Sequence, residues 1–225
     1  MSALSWPRRP PRGRLLLPLP EPGPAPAVSP GRRIGLLGGS FNPAHEGHLY
    51  ISLQALRRLR LDEIWWLVSP RNPLKPPAEL APLAERLERA RRVARHPRIR
   101  VLDLEARFGT LYTVDTLRRL RGMRGHRFVW LIGADNLAQL PRWRHWRRIF
   151  RLVPIAVFER KSYSYGALAG QVAHCFAAAR LAEERAFALA DLAPPRWVFM
   201  RLRPHPASAT AIRRAGGWPQ HADRE

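Results

Sequence analysis

Gly38-Gly39-Ser40-Phe41-Asn42-Pro43-Ala44-His45-Glu46-Gly47-His48 is the stretch that decides the fold. It follows the apolar run Ile34-Gly35-Leu36-Leu37 and precedes a helix-like segment over residues 49–59. A buried strand therefore runs into a glycine turn, and the turn opens a helix. Glycines let a backbone approach a ligand closely, the first N–H groups of a helix face outward unpaired, and the helix dipole adds partial positive charge. Those are the requirements of a nucleotide phosphate chain. His45 and His48 stand three positions apart, so both project from one face of the first turn. Gly47 between them is expected to leave room for the nucleotide.

Outward from this turn, strand and helix signals alternate. Strands are expected at residues 33–37, 63–68, 99–104, 127–132, 152–158 and 196–202. Helices are expected at 49–59, 82–95, 114–121, 143–150, 167–189 and 209–214. Several strands are apolar throughout, as when helices cover both faces of a parallel sheet. The pattern predicts an α/β fold, a doubly wound, mostly parallel, Rossmann-like sheet, with ligands at the carboxyl ends of the strands near the topological switch point. The turn after the first strand falls there.

Bulk properties bound the possibilities. A chain of 225 residues with 46% hydrophobic content supports one sizeable domain. Its longest apolar stretches, such as Ile64-Trp65-Trp66-Leu67-Val68, are strand-length, which predicts no membrane span. Cys175 is the single cysteine, so a disulfide within the chain is excluded and a reducing, cytoplasmic compartment fits. The formal net charge is +22, yet Lys75 and Lys161 are the only lysines among 39 basic residues. The arginines are scattered, which reads as codon bias rather than as a nucleic-acid patch, although such a surface attracts anions non-specifically. Residues 1–31 hold nine prolines and are expected to form a disordered extension, followed by a domain over 32–215 and a flexible tail over 216–225. Arg8-Arg9 ahead of Leu15-Leu16-Leu17 superficially resembles a twin-arginine export signal, but prolines break its short apolar core.

The opening stretch resembles the Gly-x-Phe-x-Pro-x-His-x-Gly-His signature of nucleotidyltransferases. Further segments resemble bacterial nicotinate-nucleotide adenylyltransferases: Pro70-Arg71-Asn72-Pro73-Leu74-Lys75, loosely; Asp103-Leu104-Glu105 with Tyr112-Thr113-Val114-Asp115-Thr116-Leu117, closely; Gly133-Ala134-Asp135-Asn136 with Leu140-Pro141-Arg142-Trp143; and Ala207-Ser208-Ala209-Thr210-Ala211-Ile212-Arg213. Together they span residues 33–214. In the last element a serine and an isoleucine of the family pattern are Ala209 and Ala207, so one hydroxyl is missing. Phe158-Glu159-Arg160-Lys161-Ser162 departs from a common Arg-Pro-Gly.

The resemblance implies transfer of an adenylyl group from ATP to nicotinate mononucleotide, giving deamido-NAD and pyrophosphate, with His45 and His48 catalytic. It implies ATP contacts at Gly39, Ser40, Phe41, Lys75, Gly133, Asp135, Ser208, Thr210 and Arg213, besides the histidines. Tyr112, Thr113 and Trp143 are implied on the nicotinate side. Trp146 is the alternative stacking residue, and Thr113 also suits a helix N-cap. One Mg²⁺ is expected to arrive on the ATP phosphates, with no protein metal ligands. The partners implied are ATP and the nucleotide, without specific nucleic acid or membrane, in a monomer or homo-oligomer. Pantetheine-phosphate adenylyltransferase shares the first motif, but Tyr112-Thr113-Val114-Asp115-Thr116 argues against it. A basic RNA-binding module leaves the histidine motif unexplained. A metal hydrolase lacks a third ligand at suitable spacing.

Overall fold

A computed structural model describes residues 31–71, 80–123, 125–160, 164–203, 205–216 and 218. Lys75 lies outside them. Seven parallel strands form one sheet in the order β3-β2-β1-β4-β5-β7-β6. They are β1 (Arg33–Gly39), β2 (Glu63–Val68), β3 (Ile99–Leu102), β4 (Arg127–Gly133), β5 (Ile155–Phe158), β6 (Arg180–Leu181) and β7 (Trp197–Met200).

Side chains alternate across a strand, so each strand feeds two cores. Leu36, Trp65 and Trp130 stand in register on one face and pack against helices α4 (Thr113–Arg121) and α6 (Trp146–Leu152). Leu37, Trp66 and Leu131 occupy the other, against α1 (Glu46–Arg58) and α2 (Leu83–Val93). The Rossmann-like expectation is therefore met. Strand order reverses between β1 and β4, and the crevice outside their carboxyl ends is where such sheets take ligands.

Five local expectations are corrected. The helix expected over 167–189 is instead α7 (Ser164–Leu168), α8 (Gln171–Cys175), a 3₁₀ turn (Ala177–Ala179), edge strand β6 and a 3₁₀ segment (Glu183–Asp191). Its alanines favour a helix, but Gly170 is extended, and Arg180 and Leu181 pair with Trp197 and Val198. Tertiary pairing overrides propensity here. The strand expected at 99–104 ends at Leu102, and Leu104–Phe108 form the short helix α3. Leu152, expected to begin β5, instead ends α6, and β5 starts at Ile155. α6 begins at Trp146 rather than 143, because Trp143 is extended and His145 has a left-handed φ of 51°. Finally, Thr113 is the first residue of α4, and extended Tyr112 takes the cap position.

Candidate active site

The glycine turn delivers its histidines into a reciprocal cap. His45 is the extended N-cap of α1, and its Nδ1 accepts the Gly47 N–H at 3.1 Å. His48 Nδ1 accepts the His45 N–H at 3.2 Å. Two orphan helix N–H groups are thus satisfied by imidazoles instead of the usual hydroxyl and carboxylate. An Nδ1 that accepts cannot carry the proton, so each neutral ring holds it on Nε2. The rings lie 3.9 Å apart. Burial, then Arg160 and His205, push His45 down to about 4. Burial, His45 and Arg160 hold His48 well below its ordinary value. The turn therefore presents two neutral N–H donors at physiological pH.

Several residues hold this arrangement rigid. Phe41, buried with a left-handed φ of 47°, stacks on Trp66 at 5.1 Å and meets His48 at 4.7 Å. Gly47 is required by its neighbours: a Cβ there would stand 2.9 Å from the His45 ring and 3.3 Å from Ala207 O. The space that the sequence assigns to a nucleotide is filled by protein. Gly133 is similar, since Asp135 Oδ1 and the Arg160 stem lie over it. Arg160 Nη1 donates to Asp135 Oδ2 at 2.7 Å, while Asp135 Oδ1 is buried without a partner.

The carboxyl-terminal elements close the same corner. α9 (Ala209–Arg214) is capped by Ser208, whose Oγ accepts the Ala211 N–H. Arg213 donates to Asn42 O at 2.6 Å and to Thr210 Oγ1 at 3.4 Å. Trp218, in the segment expected to be a tail, is 9% exposed and donates to Asn42 Oδ1 at 2.9 Å.

Across the glycine turn lies a cavity of about 150 Å³, lined by Gly39, Ser40, Tyr112, Thr113, Trp130 and Trp143 among others. Arg71, Arg142 and Arg144 also border it. Trp143 is on its wall, whereas Trp146 is 7% exposed and packs on Phe176. The expected site residues thus fall into two groups. His45, His48, Gly133, Asp135, Ser208, Thr210 and Arg213 gather on one side, and Tyr112, Thr113 and Trp143 on the other. Gly39 and Ser40 stand between.

Sequence reasoning missed three residues here. Arg160 was signalled only as an arginine within an atypical segment. Glu105, on the cavity wall, stands in the sequence motif that runs from Asp103 to Leu117, but nothing there gives it a role. Arg86 of α2 is 1% exposed and donates to Ala81 O (2.7 Å), Ser40 O (2.8 Å), Ser69 O (2.7 Å) and Pro70 O (3.0 Å). One guanidinium therefore ties the glycine turn to the loop after β2. Among arginines at 89, 91 and 92, nothing in the sequence marks it out.

This site, at the switch point of a parallel sheet, is that of a nucleotidyltransferase. Residues 36–215 match the model of the cytidylyltransferase-like family. Over 186 residues, the chain is 52% identical to the probable nicotinate-nucleotide adenylyltransferase of Cereibacter sphaeroides, covering 82% of this chain and 98% of that one. It is 50% identical over 192 residues to the protein of that name in Parvibaculum lavamentivorans, covering 85% and 96%. The chain belongs to this nicotinate-nucleotide adenylyltransferase family. The structure of Plasmodium falciparum nicotinic acid mononucleotide adenylyltransferase complexed with NaAD shares the fold, with a TM-score of 0.61 over 81% of this chain and 83% of that one at 16% identity.

Among the described residues, no helix is long and apolar enough to cross a membrane, and no group of three or more His, Cys, Asp or Glu is placed to hold a metal.

Proposed function

We propose that the chain transfers the adenylyl group of ATP to nicotinate mononucleotide, releasing pyrophosphate and forming deamido-NAD. The observation that carries this reading is the pair of neutral, cross-capped histidines beside an aromatic cavity. In the reaction an oxygen of the acceptor phosphate attacks the α-phosphorus of ATP in line. A phosphate monoester needs no strong base to do so, which leaves the protein to position two anions and stabilise the charge that develops.

The Nε2–H groups of His45 and His48 meet the transferring phosphoryl oxygens, with the N-terminus of α1 behind them. Gly39 and Ser40 bring backbone close to the phosphates, and Phe41 holds His48 in place. Ser208, Thr210 and Arg213 support the phosphate chain from the other side, and Lys75 is a further phosphate contact on the strength of its sequence motif alone. Arg160, an electrostatic neighbour of both histidines, joins them. Asp135 holds Arg160 and offers its unpartnered Oδ1 to a ribose hydroxyl. Tyr112, Thr113 and Trp143 take the pyridine ring.

Mg²⁺ fits this donor set as a companion of the triphosphate, held by phosphate oxygens and water, because the histidines offer N–H donors rather than lone pairs. When bound, the ion supplies charge neutralisation on the phosphates. An ATP-dependent synthesis with a lone, reduced Cys175 suits the cytoplasm.

Nicotinate is preferred over nicotinamide, because three arginines border the cavity and charge-assisted hydrogen bonds are roughly twice as strong as neutral ones. A kcat/KM preference of at least ~10-fold needs only about 1.4 kcal/mol. The test incubates purified protein with Mg-ATP and, separately, nicotinate mononucleotide, nicotinamide mononucleotide and phosphopantetheine, and follows pyrophosphate and the dinucleotide. Turnover with phosphopantetheine alone would overturn the reading.

A further inference from the structure

Packing of α4 on α6 gathers arginines that stand apart in the sequence. Arg121, at the end of α4, and Arg147, Arg148 and Arg151 of α6 line an open groove of about 520 Å³, together with His145. All four arginines are exposed. Among the described residues none of the four is paired with a carboxylate, in contrast to Arg58, Arg100 and Arg127, which meet Glu183, Glu63 and Asp191. The cause is local composition. From residue 116 to residue 158 the chain carries ten arginines and a single acid, Asp135, which pairs with Arg160. On α4 the nearest acid, Asp115, is taken by Arg118, and Arg119 lies over the Phe108 ring. Like charges held close together repel one another and weaken the compact state, so such a face gains from an anion that neutralises it.

The lining of the groove selects the anion. Its apolar members, Trp146 and Leu152, are 7% and 8% exposed, and Arg147 covers the Trp146 ring at 4.5 Å. A protein or a membrane would find no apolar surface to bury there, and a base would find no free ring to stack on. A single small anion occupies one or two guanidinium forks and leaves the others uncompensated. A chain of phosphates engages them all. We propose that the α4–α6 groove is a docking surface for nucleic acid, held by its phosphate backbone without regard to sequence. None of the groove residues lines the cavity beside the glycine turn, so the surface is separate from the reaction assigned there. Each arginine that meets a phosphate releases condensed counterions, which makes the binding steeply salt-dependent.

The test follows fluorescence anisotropy of an end-labelled single-stranded RNA of mixed sequence, about 16 nucleotides long, on the full-length protein. Kd is measured between about 50 and 200 mM salt. At about −0.7 per phosphate contact, the four arginines contribute about −3 to the log–log salt slope. Combining Arg147→Gln, Arg148→Gln and Arg151→Gln raises Kd at least ~10-fold and flattens the slope by about 2. The control combines Arg57→Gln, Arg91→Gln and Arg185→Gln, three exposed arginines on other elements, and changes Kd less than about threefold. Far-UV circular dichroism checks that both variants fold. An equal loss in the two variants makes binding a matter of net charge alone and overturns the proposal. Competition by pyrophosphate as effective, per phosphate, as by unlabelled RNA overturns it too, because the groove then takes a small anion. Should the groove variant fail to fold, modification of the parent's arginines by a dicarbonyl reagent, mapped by mass spectrometry, decides. RNA then shields Arg147, Arg148 and Arg151 while Arg57 and Arg91 stay reactive; uniform shielding, or none, refutes the assignment.

Discussion

Replacing Arg86 with lysine tests whether one buried cation frames the site. The guanidinium reaches Ala81 O, Ser40 O, Ser69 O and Pro70 O through Nε, Nη1 and Nη2. An ammonium is a single point with three donors and cannot span a fork of that width. At least two of the four carbonyls lose their partner, and each orphaned buried acceptor costs about 1–3 kcal/mol. The expected loss is about 3–5 kcal/mol, a large share of the ~5–15 kcal/mol that keeps a domain folded. At about 2–4 °C per kcal/mol for a chain of this size, Tm falls by roughly 10 °C. Ser40 and Ser69 both line the cavity beside the glycine turn, so relaxation of their loops also lowers kcat/KM, by about tenfold or more. The assay pairs urea unfolding with steady-state kinetics. Arg92→Lys on the same helix is the control, because that side chain is 63% exposed and its ion pair with Glu88 contributes little. A Tm within about 2 °C of the parent and unchanged kinetics in Arg86→Lys would refute the framing role.

Other perturbations separate chemistry from architecture. His48→Ala and His45→Ala are each expected to lower kcat by about 10²–10³. His45→Asn restores the helix cap without the Nε2–H, so its Tm recovers while its kcat does not, and recovery of both would deny His45 a catalytic role. Gly47→Ala presses on the His45 ring while adding helix propensity worth up to about 1 kcal/mol, so thermal scans should show little loss and kcat should drop. Unchanged turnover there would mean that the histidine position is not critical. Acid should destabilise the fold through His45. Its folded value is depressed to about 4 from 6.5, so its stabilisation is present above about pH 6.5 and is lost as pH falls through 4. Denaturant midpoints should decline across that window by an amount that reaches about 3 kcal/mol, and His45→Asn should flatten the decline.

Much of the fold is legible in the sequence because its determinants are local. Apolar strands such as Glu63–Val68, buried at every position, and the strand–glycine–histidine turn carry their own signals. The 167–189 region hides its structure because an alanine-rich run is helical by propensity, while the pairing of Arg180 with Trp197 is a long-range fact. The site divides in the same way. Trp143 and Tyr112 stand in recognisable motifs. Arg86 and Glu105 take their character from burial, which no neighbouring residue encodes. Gly47, read in the sequence as leaving room for a nucleotide, instead makes room for the His45 ring, and Gly133 makes room for Asp135.

The Asn42 junction bears on how the protein is made. Its side-chain oxygen is met by a tryptophan 176 positions downstream, and its carbonyl by an arginine 171 positions downstream. During synthesis the histidine turn emerges some 170 residues before the groups that brace it. A nascent chain that has not yet reached Arg213 and Trp218 can lay down the central strands, yet lacks the brace across its histidine corner. Activity should therefore arrive late and all at once, a property that a carboxyl-terminal truncation series in a translation extract would display as a sharp step between residues 210 and 218.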